Sequence, residues 1–278
     1  MKYILEEPSP NLRAYINSIW YFENYFDDPY EMIFLPKHTH FITISFDDIA
    51  KLTFENKEEY QIAPMTLGGL LDKTSLTIKL HKKVKFIGID LKPYGFYKLT
   101  KHSCDVFVNK NWDMGLFFKK SSVDDLYDQL CNSDNVQNSF KYIERFLIEQ
   151  FGKGSNEKMD LQISKISTAI KIVTDQTPVL SIREIASELA MSERNFQRLF
   201  NTVVGVSPKS WTDKYKFQLI LVGLKKGQWK TLEDAAFSNG FNDVSHFCKF
   251  FKSQTGFKPS EVIQTYGPMY NSIFQYDG

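Results

Sequence analysis

The sequence predicts an α+β chain of two domains: a mainly β N-terminal barrel followed by helices, and an all-α C-terminal part with two helix-turn-helix units. Three observations carry this. Short β-branched and aromatic runs crowd the first hundred residues. The hydrophobic period becomes helical from about Asp113. A pattern that begins at Ser181 returns fifty residues later. The expected boundaries are 1–151 for the first part, with strands to about 100 and helices over 113–151. A linker over 152–159 follows, then the second part over 160–266 and a tail over 267–278.

In order along the chain, Ile19–Phe22, Met32–Leu35, Phe41–Phe46, Leu76–Leu80 and Val84–Leu91 read as short strands parted by polar turns, the mark of a barrel or sandwich. Val123, Leu126, Tyr127 and Leu130 then fall at helical spacing, as do Phe140, Ile143, Phe146 and Leu147. Asp124 and Asp125 read as a helix start, where negative charge is favoured. Gly152 to Lys158 holds two glycines and no aliphatic residue, which suits a linker. Beyond Asp160 the pattern is helical, and Pro178, Pro208, Pro259 and Pro268 sit between helical stretches.

The chain has 278 residues, 42% of them hydrophobic and 24% charged, enough for two cores and too ordered in composition for wholesale disorder. Net charge is +1, but residues 157–264 hold 15 Lys/Arg against 11 Asp/Glu. That modest excess suits nucleic acid at one end only. Cys104, Cys131 and Cys248 lie far apart with no CxxC pair, which fits a reducing cytosol better than a disulfide framework or zinc site. The N-terminus has no signal-peptide pattern, and the longest apolar stretch, Phe217 to Leu224, is too short to span a bilayer. The expectation is a cytoplasmic protein with no membrane partner.

The repeat carries the chemistry. Ser181-Ile-Arg-Glu-Ile-Ala186 matches Thr231-Leu-Glu-Asp-Ala-Ala236 at an offset of 50. Phe196 to Phe200 matches Phe247 to Phe251 and Gly205-Val-Ser-Pro208 matches Gly256-Phe-Lys-Pro259, both at 51, so one residue was added in the turn between. Each copy, 181–204 and 231–255, has the physics of a helix-turn-helix. Ser181/Glu184 and Thr231/Asp234 are capping-box pairs, the second with a shorter acid. Ala186 and Ala236 let a second helix cross closely. Breaks follow at Met191-Ser192 and at Gly240-Phe241-Asn242, and Ser192 and Asp243 cap the second helices, near where a phosphate would lie. Gly205 and Gly256 suit helix ends.

Burying Phe196, Leu199 and Phe200, and Phe247, Phe250 and Phe251, leaves Arg194, Asn195, Gln197 and Arg198 outward in the first unit. Val244, Ser245, His246 and Lys249 are left in the second. Arg and Gln early on a helix can pair bidentately with guanine and adenine in a major groove, and Val244 can touch a thymine methyl. A solvated polar face is the plainer reading of each residue alone; the duplication favours base contact. Trp211, Tyr215, Leu219 and Val222 share one face of a joining helix, which is stiff enough to hold both units against successive major grooves of double-stranded DNA.

These residues resemble the DNA-binding domain of the AraC/XylS transcription regulators. The motif residues are Ala186, Ser192, Phe196, Arg198, Phe200, Gly205 and Pro208, then Ala236, Gly240-Phe241, Asp243, Ser245, Phe247, Phe251, Gly256 and Pro259. The resemblance implies that Arg194, Gln197 and Arg198 read bases with the first recognition helix dominant, and that Val244, Ser245, His246 and Lys249 contribute. Departures are Lys216-Phe217, Ile220 and Ser260 to Ile263, where the family's phosphate-contact pattern is missing. More loosely, Leu35 to His38 and Phe86 to Phe96 resemble the family's cupin-like sensor domains. That implies a small organic effector, with no ligand residue carried across, and RNA polymerase as partner if the chain is an activator. Separately, the helices near 122–131 and 138–151 carry apolar faces open either to pairing between two chains, as a homodimer through the N-terminal domain, or to packing on their own barrel. His38-Thr39-His40 supplies half of a cupin metal set, and His81 and His102 do not complete it, so no metal, cofactor or catalytic residue is expected. Two alternatives stay open: an interaction protein acting through another regulator, and a cupin-like metalloenzyme fused to a DNA-binding domain.

Overall fold

The structure, a computed structural model, describes residues 2–28, 30–46, 52–54, 59–60, 63–72, 76–80, 82–154, 156–175 and 181–261. His81, Pro178, Pro268 and the tail 267–278 lie outside the described residues. Among the described residues nine strands come first and a tenth follows α1: β1 (Lys2–Glu6), β2 (Ile16–Tyr25), β3 (Tyr30–Phe34), β4 (Phe41–Ser45), β5 (Leu52–Phe54), β6 (Glu59–Tyr60), β7 (Met65–Gly68), β8 (Leu76–Leu80), β9 (Lys83–Leu91) and, later, β10 (Asn111–Asp113). They form a six-stranded sheet in the order β1-β2-β9-β4-β7-β10 and a four-stranded sheet in the order β3-β8-β5-β6. Every pairing is antiparallel. Phe34 and Leu76 of the small sheet pack in one cluster with Trp20, Phe22 and Val84 of the large one. Trp20 lies opposite Gly88, and a Cβ at Gly88 would stand 2.0 Å from the indole, so only glycine leaves room for that ring. The indole N–H donates to Asp90 (3.0 Å), whose other carboxylate oxygen takes the Lys37 ammonium at 3.1 Å in a buried ion pair.

Nine helices follow among the described residues: α1 (Gly95–Thr100), α2 (Lys120–Cys131), α3 (Val136–Gly152), α4 (Glu157–Asp175), α5 (Ile182–Glu188), α6 (Glu193–Val204), α7 (Pro208–Lys225), α8 (Leu232–Ser238) and α9 (Val244–Thr255). Two 3₁₀ turns, Cys104–Phe107 and Met114–Leu116, sit between α1 and α2. The strands expected around Ile19, Met32, Phe41, Leu76 and Val84 are present, and β1, β5, β6, β7 and β10 are added. α2 begins at Lys120, so Asp124 and Asp125 lie in its second turn rather than at its start; Asp124 pairs with Lys120 one turn back at 3.0 Å. The apolar faces of α2 and α3, which a dimer would need, are spent inside the chain: Val123, Leu126, Leu130, Phe140, Ile143, Phe146 and Phe151 all join the main core.

That core does not stop at the turn between α3 and α4. It runs from Leu12 through the large sheet, α2, α3 and α4 to Phe196, Phe200 and Trp211. α4 is also tied to α1 by polar contacts, Lys98 to Asp160 at 2.5 Å and the Tyr97 hydroxyl to Gln162 at 2.9 Å. No described helix is long and apolar enough to cross a membrane.

Candidate nucleic-acid interface

The two repeat copies fold with the same hydrogen bonds. The Ser181 hydroxyl accepts the Glu184 N–H, and the Glu184 carboxylate accepts the Ser181 N–H at 2.7 Å; hydrogen bonding to the Ser181 side chain first, and to its N–H second, holds that carboxyl below its ordinary range. In the second copy Thr231 and Asp234 make the same reciprocal pair at 3.0 and 3.1 Å, so the shorter acid closes the box as well. α5 and α8 then end alike. Ala190 (φ 51) and Gly240 (φ 72) take the left-handed conformation. Met191 N–H reaches back to the Ala186 carbonyl (2.9 Å) and Phe241 N–H to the Ala236 carbonyl (3.0 Å). These are Schellman ends at an offset of 50.

The next matched pair is offset by 51. The Ser192 hydroxyl caps α6 by accepting the Asn195 N–H, and the Asp243 carboxylate caps α9 by accepting the His246 N–H at 2.7 Å. The added residue is therefore Asn242. Ala186, Ala235 and Ala236 are buried where the helices cross, and α6 and α9 end at left-handed Gly205 and Gly256. Burying Phe196 and Phe200, each fully enclosed, is worth roughly 2–3 kcal/mol apiece. It turns Arg194, Asn195, Gln197 and Arg198 to solvent. The second unit exposes Ser245, His246 and Lys249 and leaves Val244 half-buried. Gln197 donates to Glu193 at 2.9 Å and Arg198 reaches Asn195 at 3.5 Å, while Arg194 and Lys249 have no polar side-chain partner among the described residues. The His246 ring stands edge-on to Phe241, with centroids 5.2 Å apart.

α7 departs from its expected face. Leu219 is 51% exposed, whereas Trp211, Lys214, Phe217, Gln218 and Ile220 are buried. The reason is the N-terminal part, which lies against this helix. Trp211 Nε1 donates to the His38 carbonyl (2.9 Å) and Gln218 Nε2 to the Pro36 carbonyl (2.7 Å). Asp72 takes the Ser210 hydroxyl at 2.7 Å and the Lys214 ammonium at 2.6 Å. The segment Pro36–His40 thus forms a seam. Its His40 accepts the Leu70 N–H at Nδ1 (3.1 Å), so the proton sits on Nε2, which donates to the Val204 carbonyl at the end of α6 (2.9 Å). Burial holds this ring neutral, with a pKa lowered to about 4. Both His40 nitrogens are therefore engaged, and among the described residues no three His, Cys, Asp or Glu gather as a metal site. Sequence reasoning missed this seam; its signal was Lys214 and Gln218, one turn apart, on the stripe begun by Trp211.

Comparison with known proteins fits this geometry. A helix-turn-helix domain model matches residues 185–265, and a model of a domain of unknown function matches residues 6–113. An uncharacterized HTH-type transcriptional regulator of Haemophilus influenzae is 31% identical over 121 residues, 43% of this chain and 40% of that one. The virulence regulon transcriptional activator VirF of Yersinia enterocolitica is 31% identical over 88 residues, 30% of this chain and 31% of that one. The matches span about two fifths or less of these relatives' length. Among solved structures, ToxT of Vibrio cholerae superposes with a TM-score of 0.49 at 18% identity, covering 89% of this chain and 98% of that one. Over residues 185–265, with its two helix-turn-helix units, the chain is thus similar to helix-turn-helix transcriptional regulators.

Proposed function

We propose that this chain is a sequence-specific DNA-binding transcription regulator that reads two adjacent major-groove half-sites with one molecule. The observation that carries it is the duplication itself: two recognition helices with matching caps and turns, both polar faces open, held on either side of one stiff helix. α7 is roughly 27 Å long at 1.5 Å per residue, comparable to the ~34 Å between successive major-groove faces. Arg194, Asn195, Gln197 and Arg198 are the base readers of the first half-site, and Val244, Ser245, His246 and Lys249 those of the second. The N-termini of α6 and α9, capped by Ser192 and Asp243, abut phosphates. Residues 1–151 sense a small organic effector and 160–266 bind DNA, in the cytoplasm, with RNA polymerase the further partner if the sign is activation. No residue in this reading is catalytic, and a homodimer would use N-terminal surface other than the inward faces of α2 and α3.

The test is selection of random duplexes with the full chain, then titration of the enriched sequence at two salt concentrations. Two short elements about one helical turn apart on asymmetric DNA are expected. Recovery of only non-specific, steeply salt-dependent binding would sink the base-reading roles.

A further inference from the structure

β1 (Lys2–Glu6) is one edge of the six-stranded sheet. It pairs with β2 over all five residues without a bulge, and no described strand takes its outer side. The opposite edge of that sheet, β10, is three residues long. A straight open edge presents unpaired N–H and C=O groups to any strand that comes alongside. Leu5 is 47% exposed on this edge, and Tyr3 and Ile4 are half-buried. Lys2 and Glu6, at its two ends, are exposed, and neither makes an ion pair among the described residues. The Lys2 ammonium lies over the Tyr21 ring at 5.5 Å. Glu23, opposite Lys2 on β2, takes the Tyr21 hydroxyl at 2.8 Å. The groups just past the strand are engaged elsewhere: Glu7 holds Arg13 at 3.1 Å, and the Ser9 N–H goes to Glu144 at 2.6 Å.

The order Lys-Tyr-Ile-Leu-Glu is its own complement. When two copies run antiparallel with Ile4 opposite Ile4, Lys2 of each faces Glu6 of the other, and Tyr3 faces Leu5. A two-fold axis through the Ile4 pair gives each of these contacts twice. Opposite charges and aromatic–aliphatic pairs directly across a ladder stabilise it, and like charges there oppose it. A slip of two residues sets Lys2 or Glu6 against Ile4 and forfeits both ion pairs, so the charges fix the register. We infer that β1 is an interface between two copies of this chain, which join their six-stranded sheets edge to edge across a two-fold axis. The apolar faces of α2 and α3 are buried inside the chain, whereas this edge is open. A five-residue ladder buries less than a standard interface, so the association is weak. The inference goes beyond the regulator reading, which needs one molecule per site, and does not rest on DNA binding.

The experiment is sedimentation equilibrium of the full chain without DNA. A reversible dimer is expected, with a Kd of roughly 10–100 µM. Lys2→Glu and Glu6→Lys should each weaken it at least about tenfold, because each sets two like-charge pairs across the axis. The double variant Lys2→Glu/Glu6→Lys restores opposite charges in the same register. It should return to within about threefold of the unaltered chain, a rescue that damage to the fold would not produce. Lys141→Glu, at an exposed position of α3, should leave the dimer unchanged. A chain that stays monomeric throughout, a dimer indifferent to the single reversals, a double variant no better than the singles, or a dimer lost in Lys141→Glu would each overturn the inference. Failure of the chain to select DNA would leave this result standing and would count against the regulator reading alone.

Discussion

The two helix-turn-helix units match bond for bond in their turns and differ in what stands behind them. α6 packs against α1, the Cys104–Phe107 turn, α4, α5 and α7, whereas α9 packs chiefly on α8 and α7. The end of α6 is gripped by the N-terminal part through His40 and Val204. A Cβ at Gly205 would stand 2.8 Å from the Cys104 carbonyl oxygen. α6 is thus fixed to the N-terminal part, and α9 is carried at the far end of α7. Equal local sequence therefore does not give equal mechanical standing: α6 is held by a hydrogen bond and direct helix contacts, whereas Phe247 and Phe251 of α9 share a buried apolar cluster with Trp20, Phe22 and Leu35 of the barrel and Phe217 and Ile220 of α7.

Acid should show the largest difference. The His40 ring titrates near 6.5 in an unfolded chain and near 4 when folded. Between those values only the unfolded chain takes the proton, so the stabilisation is fully present above about pH 6.5 and is lost as pH falls toward 4. The slope approaches about 1.4 kcal/mol per pH unit for one such histidine. His38 acts in the same direction and, being partly exposed, more weakly. Amide exchange followed from pH 7 to 5 should open the end of α6 before α9; simultaneous opening would break the asymmetry. Next in size, Gly205→Ala should cost about 2 kcal/mol in denaturant titration, because left-handed strain adds to the clash with Cys104. A smaller loss than in Gly256→Ala would contradict the grip on α6. On DNA, Arg198→Ala should cost roughly 1–3 kcal/mol on the selected site and little on random sequence. Lys249→Ala should cost less, if the fixed unit dominates.

How legible this was in the sequence follows the range of the interactions. Caps and turns are local: Ser181, Ser192, Thr231, Asp243 and the terminal glycines announced themselves, and so did the polar faces of α6 and α9. Strands β5, β6 and β7 are short and get their order from partners far along the chain, so no window revealed them. The seam was hidden for the same reason. Lys214 and Gln218 stand on the stripe begun by Trp211, but that polar pair does not say that Pro36 to His40 is what covers it, because that segment lies far along the chain. Asp124 and Asp125 misled because an acid pair signals a helix start only where the helix begins.

The smallest effect separates the two turns most cleanly. Both need a residue in the left-handed region, and the second has glycine there while the first has Ala190. For alanine that conformation costs about 1–2 kcal/mol, and glycine adopts it freely at some entropic cost in the unfolded chain. Ala190→Gly should therefore raise stability by about 0.5–1 kcal/mol, and Gly240→Ala should lower it by about 1 kcal/mol. Added bulk is no confounder at Gly240, where a Cβ would meet nothing within 4 Å. Thermal melts of the two variants should therefore move in opposite directions. If both fall, Ala190 makes contacts worth more than its strain, and the two turns are equal in backbone form only.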